Sequence, residues 1–557
     1  MKFQQHLLAI LIAAWMIPTQ AAIVPNAGQL LQQEQQGKLP QLQQGVSIEQ
    51  QELTPKPIDS ELQVLVKRID IAGNQRFSTD KLHALVVDAE EQMMSLSQLQ
   101  DYVERITDYY HNAGYLYSRA YLPQQTLSQG IVQIQVLEAY YDQPEVNNNS
   151  RTQDWLIQKT LAPLQIGQQI GQTQLENQLK LLNRLEGVET KNTLRPGRTS
   201  GSSQLLVDVY DTDMLNGYVG VDNFGNEFTN EVRTTAGLRL NNLAGLGDSL
   251  SLDAMTGGVR LNYGKLGYAL TVNGYGTRIG AAYSYLNYKL GKEMERLDAK
   301  GNAEQTSVFI VQPALLTNTS EVLLSLQYDH KHLEDDVVLN KFYKNRDVDL
   351  VTARLDGSHY DQWAGGGLTQ YGASSSFGHV KYKNEVAKIL DNQTAKTSGD
   401  YYSVSLNLSR LQNLGEHGTQ GYLAVYGQYS PYNLDISEQY FAGGPFSVRG
   451  YDINQLSGSS GYLSTAELRQ RLFSNNKQQI AAKLFVDHAG ITLNAKPWFA
   501  QDDGNHIHIS STGLGLNWQS VWDLQANAEV GFPIGSTPKS LKNRDDEQFW
   551  LSVRYGF

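Results

Sequence analysis

The chain's last twelve residues, Asp546 to Phe557, alternate between two faces. Phe549, Leu551, Val553, Tyr555 and Phe557 fall on one side of a strand, and Trp550, Ser552, Arg554 and Gly556 on the other. A period of two is the signature of a strand, and this run is long enough to cross a hydrocarbon layer at a tilt. One apolar face for lipid and one mixed face for a lumen are what a transmembrane barrel requires. The same grammar recurs upstream. Val232, Thr234, Ala236, Leu238 and Leu240 alternate with Arg233, Thr235, Gly237, Arg239 and Asn241. Tyr402, Val404, Leu406 and Leu408 alternate with Ser403, Ser405, Asn407 and Ser409. The stretch from Thr212 to Phe557 reads as strands and turns only, and at roughly 20 to 22 residues per strand and connection it predicts an antiparallel barrel of about sixteen strands over 214–557. Asn242 to Asp248 reads as a short periplasmic turn. Gly291 to Thr306 and Glu334 to Asn345 read as long outer loops. The 31 tyrosines suit aromatic girdles at two membrane interfaces. A soluble propeller would need a blade repeat every ~40 to 50 residues, and none is visible.

Residues 1–21 read as a secretory signal: Lys2, an apolar run from Leu7 to Met16, and Thr19-Gln20-Ala21 as a cleavage site. That run is too short to span a membrane, and no later stretch approaches the ~18 apolar residues of a transmembrane helix. A mean hydropathy of -0.41 fits an exported barrel or a soluble chain equally. With no cysteine, disulfides and thiolate metal sites are excluded. A formal charge of -12 argues against a nucleic-acid partner.

Residues 23–39 are rich in Gln, and Asn26 to Leu39 could form a short polar helix whose apolar surface is Ala27, Leu30 and Leu31. Such a helix has too little apolar surface for a hydrophobic core, so it is either disordered or seated in a polar cavity. Residues 40–60, with Gly45 and three prolines, read as a flexible linker.

Two small α/β units of one grammar follow, at 61–141 and 142–213. In the first, a strand over Gln63 to Ile71 precedes a helix with Leu82, Leu85, Val86 and Ala89. A second helix opens at Ser95 and Gln98, and strands follow at Ser118 to Leu122 and Ile131 to Glu138. The second unit runs through a weak strand at Pro144 to Asn148 and a helix at Thr152 to Leu164. A helix striped by Leu175, Leu179, Leu182 and Leu185 then precedes strands near Val188 to Arg195 and Gln204 to Tyr210.

Gly443-Gly444-Pro445-Phe446-Ser447-Val448-Arg449-Gly450-Tyr451 is the sharpest local motif. With two β-α-α-β-β units and a barrel, it resembles the Val-Arg-Gly-Tyr signature of the POTRA-plus-barrel transporter superfamily. The resemblance implies a loop, 443–460, folded into the lumen, whose Arg449 meets an Asp within a Phe-x-Asp-x-Gly motif on the barrel wall. Here the matching stretch is Phe485-Val486-Asp487-His488-Ala489-Gly490, with one residue too many before Gly490. Two POTRA units behind a polar helix and linker resemble the two-partner secretion transporters (TpsB family), over the whole mature chain. The family implies that residues 23–39 plug the lumen. It implies an outer-membrane pore, with POTRA units in the periplasm, that exports a large partner exoprotein (TpsA type) without ATP; the lean is to a contact-dependent inhibition toxin. The terminal Tyr555 and Phe557 resemble the signal read by barrel-assembly machinery. Recognition of the partner is expected by strand addition at POTRA grooves, with Leu179, Leu182 and Val207 shaping the second from inside. An insertase of other barrels, or a passive porin or nutrient channel, are the alternatives. The first leaves the plug unexplained and the second the POTRA units.

Other apparent chemistry is bland. His330 and His332 before Glu334, Asp335 and Asp336, and the pair His506 and His508, read as solvated positions rather than metal ligands. No phosphate loop or nucleophile set is present, so neither enzyme activity nor a cofactor is expected.

Overall fold

The structure is a computed structural model describing residues 25–33, 48–50, 63–126, 129–199, 201–339, 341–415, 417–498, 504–536, 538–541 and 546–557. The expected signal segment lies outside the described residues, as does most of the expected linker.

Helix α1 (Ala27–Gln33) lies inside the barrel, and β1 (Ile48–Gln50) lies in the periplasmic part. The first α/β unit contains β2 (Gln63–Val66), β3 (Arg68–Ala72), α2 (Thr79–His83), β4 (Gln92–Ser95), α3 (Leu96–Asn112), β5 (Arg119–Tyr121) and β6 (Ile131–Leu137). Strand β4, which sequence reading missed, pairs with β2, and the expected Gln63 to Ile71 strand is broken at Lys67. Ser95 and Gln98 form a reciprocal capping box at the start of α3, satisfying two otherwise orphaned backbone donors. Leu99, Val103 and Ile106 recur at helical spacing and are buried in one cluster with Val132, Ile134 and Val136. Each such side chain contributes on the order of 1.5–3 kcal/mol relative to exposure.

The second unit is built from β7 (Tyr140–Tyr141), β8 (Glu145–Asn149), α4 (Asp154–Leu161), α5 (Gln172–Asn183), β9 (Val188–Pro196) and β10 (Ser202–Asp211). It begins before the expected boundary at 142, because Tyr140 and Tyr141 pair with Ser202 and Ser203. Its sheet runs β1-β9-β10, with β7 and β8 beside β10. The expectation that 40–60 is only a flexible linker fails at one point: Ile48, Glu49 and Gln50 pair in parallel with Asn192, Thr193 and Leu194. An unpaired strand edge is a row of free donors and acceptors, and the nearby segment of the same chain takes part of it.

Sixteen strands close the barrel: β11 (Leu215–Asp222), β12 (Arg233–Asn241), β13 (Ser249–Thr256), β14 (Leu261–Thr271), β15 (Arg278–Lys289), β16 (Ala299–Leu316), β17 (Ser320–Val337) and β18 (Phe342–Asp361) form one half. β19 (Gly367–Tyr382), β20 (Gly399–Asn413), β21 (Thr419–Tyr429), β24 (Ser460–Ser474), β25 (Gln478–Thr492), β26 (His506–Ser520), β27 (Leu524–Ile534) and β28 (Gln548–Gly556) form the other. The hairpin strands β22 (Tyr440–Ala442) and β23 (Leu456–Gly458) belong to the loop between β21 and β24. β28 pairs with β11, Arg554 opposite Gly220, leaving no open edge. The terminal alternation holds: Phe549, Leu551, Val553, Tyr555 and Phe557 are exposed on the lipid side, and Trp550 is 5% exposed on the lumen side.

Of the two expected outer loops, the first is strand over its second half and the other is mostly strand. β16 takes in Ala299 to Thr306, and the β17–β18 hairpin carries Glu334 opposite Asn345. Their residues alternate as strand residues do, and the inward ones, Ala299, Ala303 and Leu333, are buried in the same cluster as Ala27, Leu30 and Leu31 of α1. The barrel region is also not strands alone. Helix α6 (Glu385–Gln393) sits between β19 and β20, its Asn384 side chain accepting hydrogen bonds from the N–H groups of Val386 and Ala387.

The second unit is docked on the barrel's periplasmic turns. Arg184 pairs with Glu321, Arg278 with Glu186 at 2.8 Å, and the Asn318 N–H donates to Glu176 at 2.9 Å.

Candidate functional site

The polypeptide between β21 and β24 turns back into the lumen and carries Arg449 to the wall. Its guanidinium donates from Nε and NH2 to both Asp487 carboxylate oxygens, at 2.9 and 2.7 Å. The planar fork matches a carboxylate in this two-point way, which an ammonium cannot do. NH1 reaches Glu467 at 2.6 Å and Glu529 at 3.2 Å, and the guanidinium carbon lies 3.5 Å from the Phe485 ring centre. Asp487 is fully buried and Arg449 is 4% exposed. Arg469 pairs with Glu467 and Lys483 with Glu529, each at 2.6 Å. Three cations thus meet three carboxylates. This neutralisation is what permits so much charge in a buried place.

Of the residues singled out from sequence, Val448 and Tyr451 are buried in a cluster with Leu463, Ala489, Ile491 and Ile509. Gly450 has no room for a side chain: a Cβ there would lie 2.7 Å from that of Ser511 and 2.8 Å from the Pro533 nitrogen. Gly490 does not belong to the site. With Phe485, Asp487 and Ala489 facing inward, strand alternation turns position 490 outward, against Tyr462 and His508. The extra residue noted in the motif is the cause, and Ala489 takes the inward place. Glu467, Glu529, Arg469, Lys483 and Trp550 were missed. Their signal was a charged or indole side chain on the inward face of an otherwise alternating strand.

Helix α1 occupies the outer half of the lumen. Contrary to the sequence expectation, an apolar core does hold it. Ala27, Leu30 and Leu31 are buried among Leu261, Leu286, Leu333, Val348 and Val380. The barrel supplies nearly all the apolar surface, so three residues from the helix suffice. Polar contacts fix its ends: the Ala27 N–H donates to Asp335 at 2.8 Å, Gln32 to the Gln439 carbonyl at 3.0 Å, and Gln33 to the Phe224 carbonyl at 2.8 Å. Beside it lies a lumen cavity of about 580 Å³, lined by Gln32, Ser307, Gln327, Ser376, Ser405 and Gln428 among others.

Leu179, Leu182 and Val207 are each fully buried in the core of the second unit. Tyr555 and Phe557 lie on the lipid face of the closing strand. The histidines are paired within the strands: His330 with Asp349 at 2.8 Å and His332 with Asp347 at 2.7 Å. Among the described residues, no group of three or more potential ligands could hold a metal ion.

A closed sixteen-strand barrel with an in-folded Arg loop and an N-terminal POTRA domain defines an outer-membrane transporter whose POTRA region faces the periplasm. Residues 201–517 match the family described as haemolysin secretion/activation protein ShlB/FhaC/HecB, and 64–139 match the ShlB-type POTRA domain. The chain belongs to this family, the two-partner secretion transporters, whose POTRA domains bind a partner exoprotein. Heme/hemopexin transporter protein HuxB of Haemophilus influenzae is 26% identical over 86% of this chain and 85% of its own length. Outer membrane transporter CdiB of Dickeya dadantii is 24% identical, with 79% and 77% covered. The structure of CdiB from Escherichia coli superposes with a TM-score of 0.70 at 19% identity, covering 91% of this chain and 93% of that one, and so shares the fold.

Proposed function

We propose that this chain exports one large partner exoprotein, unfolded, from the periplasm through the barrel to the cell surface, with α1 as a displaceable plug. The supporting observation is the lumen beside the helix. Its lining along β16–β20 is dominated by hydroxyl and amide side chains such as Ser307, Gln327, Ser374, Ser376, Ser403 and Ser405. Such a wall can exchange hydrogen bonds with passing backbone while offering little apolar surface to hold it. The outer membrane has no nucleotide supply, so export is driven by folding of the cargo outside. The POTRA units first capture the partner by strand addition. The Arg449–Asp487 pair acts as a latch for the loop. Tyr555 and Phe557 carry the assembly signal for insertion into outer-membrane lipid by barrel-assembly machinery, and no enzymatic step is involved.

The relatives support two cargo classes. The name HuxB points to a heme/hemopexin-related exoprotein and the name CdiB to a contact-dependent inhibition toxin, so the toxin preference drawn from sequence is not kept. The test is co-expression with a candidate large exoprotein of the TpsA type, with a photo-crosslinking residue at position 376 of this chain. The partner should reach the surface only when this chain is present, and a stalled partner should crosslink at 376. Surface display without the chain would overturn the reading.

A further inference from the structure

The loop between β21 and β24 is fastened at two places. Before Arg449 the chain forms a 3-10 turn, Ile436–Glu438, opening at Asp435, whose carboxylate accepts from the Ser437 N–H at 3.0 Å. Asp435, 1% exposed, lies 2.7 Å from Nε of Arg346, which is fully buried on β18. Three residues on, Glu438 pairs with Lys331 of β17 at 2.6 Å. Arg449 is held instead by β24, β25 and β27. The loop is therefore tied to two separate sectors of the wall.

Helix α1 touches the first tie directly. Arg346 also donates to Asp335 at 2.7 Å, and the other oxygen of Asp335 accepts from the Ala27 N–H and from Tyr288 OH at 2.8 and 2.6 Å. Gly28 packs against the turn so closely that a Cβ would sit 2.6 Å from that of Ser437. The helix thus shares one carboxylate with the tie and covers its turn.

We propose that Asp435, Arg346 and Asp335 are positioning residues that couple the plug to the loop, so that neither leaves its place at wild-type cost without the other. While the helix is seated, the Arg346–Asp435 pair is shielded from water and its attraction is strong. When the helix departs, Asp335 loses a donor, water reaches the pair, and the tie weakens. Coupling between two sites is reciprocal, so loosening the tie must also loosen the plug by the same factor. The proposal rests on α1 acting as the plug.

Conductance of the purified full chain in planar bilayers tests this without any cargo. Asp435→Asn keeps the Arg346–Asp335 contact and should raise the open fraction by roughly ten-fold, within the usual range for coupled sites. Gly28→Leu should do the same by pushing the helix off Ser437, and the double variant should open no further than the larger single effect. Deletion of residues 26–33 is the control, and heat-modifiable gel mobility verifies that each barrel is folded. If the deletion leaves conductance unchanged, the plug reading fails and this proposal with it. If the deletion opens the pore but a folded Asp435→Asn barrel stays closed, or if the two substitutions act additively, the coupling alone is overturned.

Discussion

Trp550, on the strand that closes the barrel, donates its indole N–H to the backbone carbonyl of Arg449 at 2.8 Å, with both residues buried. The tip of the in-folded loop is thereby fixed by its side chain to β24, β25 and β27 and by its backbone to β28. Gly531 completes the seat, since a Cβ there would lie 2.4 Å from the Arg449 carbonyl oxygen.

Trp550→Phe keeps an aromatic side chain, though a smaller one, and removes the donor, leaving a buried carbonyl without its partner. That change should cost about 1–3 kcal/mol at the loop tip. Limited proteolysis of folded protein should then cut within 443–460 faster than in wild type, with the barrel itself resistant.

Arg449→Ala should abolish or strongly reduce export while the barrel still reaches the membrane, because three carboxylates would share only Arg469 and Lys483. Removing one partner of a buried ion pair costs on the order of 3–5 kcal/mol. Lys at 449 should rescue poorly for want of the planar fork. Asp487→Asn should be milder than Arg449→Ala, since Arg449 retains Glu467 and Glu529. Surface display of the partner measures all three; equal defects would mean that Asp487 alone holds the loop.

The strand at Ile48–Gln50 bears on partner capture, because it covers part of the β9 edge. A soluble fragment spanning 61–213 should bind the partner's N-terminal region weakly, roughly micromolar, since ordering a disordered segment offsets much of the contact energy. A fragment beginning at residue 45 should bind more weakly still, because its own strand competes for the edge. Calorimetry on the two fragments decides it, and equal affinities would place recognition on another edge.

Glu138 sits between the two α/β units and accepts hydrogen bonds from Tyr110 and Tyr140, at 2.6 and 2.5 Å, and from the N–H groups of Gln75 and Arg76. Burial disfavours its charge, but these donors outweigh burial and hold the carboxyl below its ordinary value. A depressed folded pKa gives stability that is present above the unfolded value, about 4.3, and lost as pH falls through the folded one. The 61–213 fragment should therefore lose thermal stability on going from pH 5 to pH 3. Glu138→Gln should flatten that dependence, as followed by circular dichroism.

Much of this molecule was legible in one dimension because strand and helix periodicities are local. The Phe549 to Phe557 alternation needs no knowledge of neighbours to place one face in lipid. The Ser95–Gln98 cap and the leucine stripe of 175 to 185 likewise mark their helices unaided. The pairing of Arg449 with Asp487 was suggested only by the resemblance of the stretches at 448–451 and 485–490 to a family signature, and by no local periodicity. What the sequence could not determine was register and what lies across the lumen. Whether Gly490 faces in or out depends on counting residues along a formed ladder. Glu467 and Glu529 join Arg449 only because three strands bring their inward faces together. Helix α1 looked too polar to be held, because its apolar partners, Leu286, Leu333, Val348 and Val380, lie more than two hundred residues away and share a surface only after the sheet has closed into a barrel.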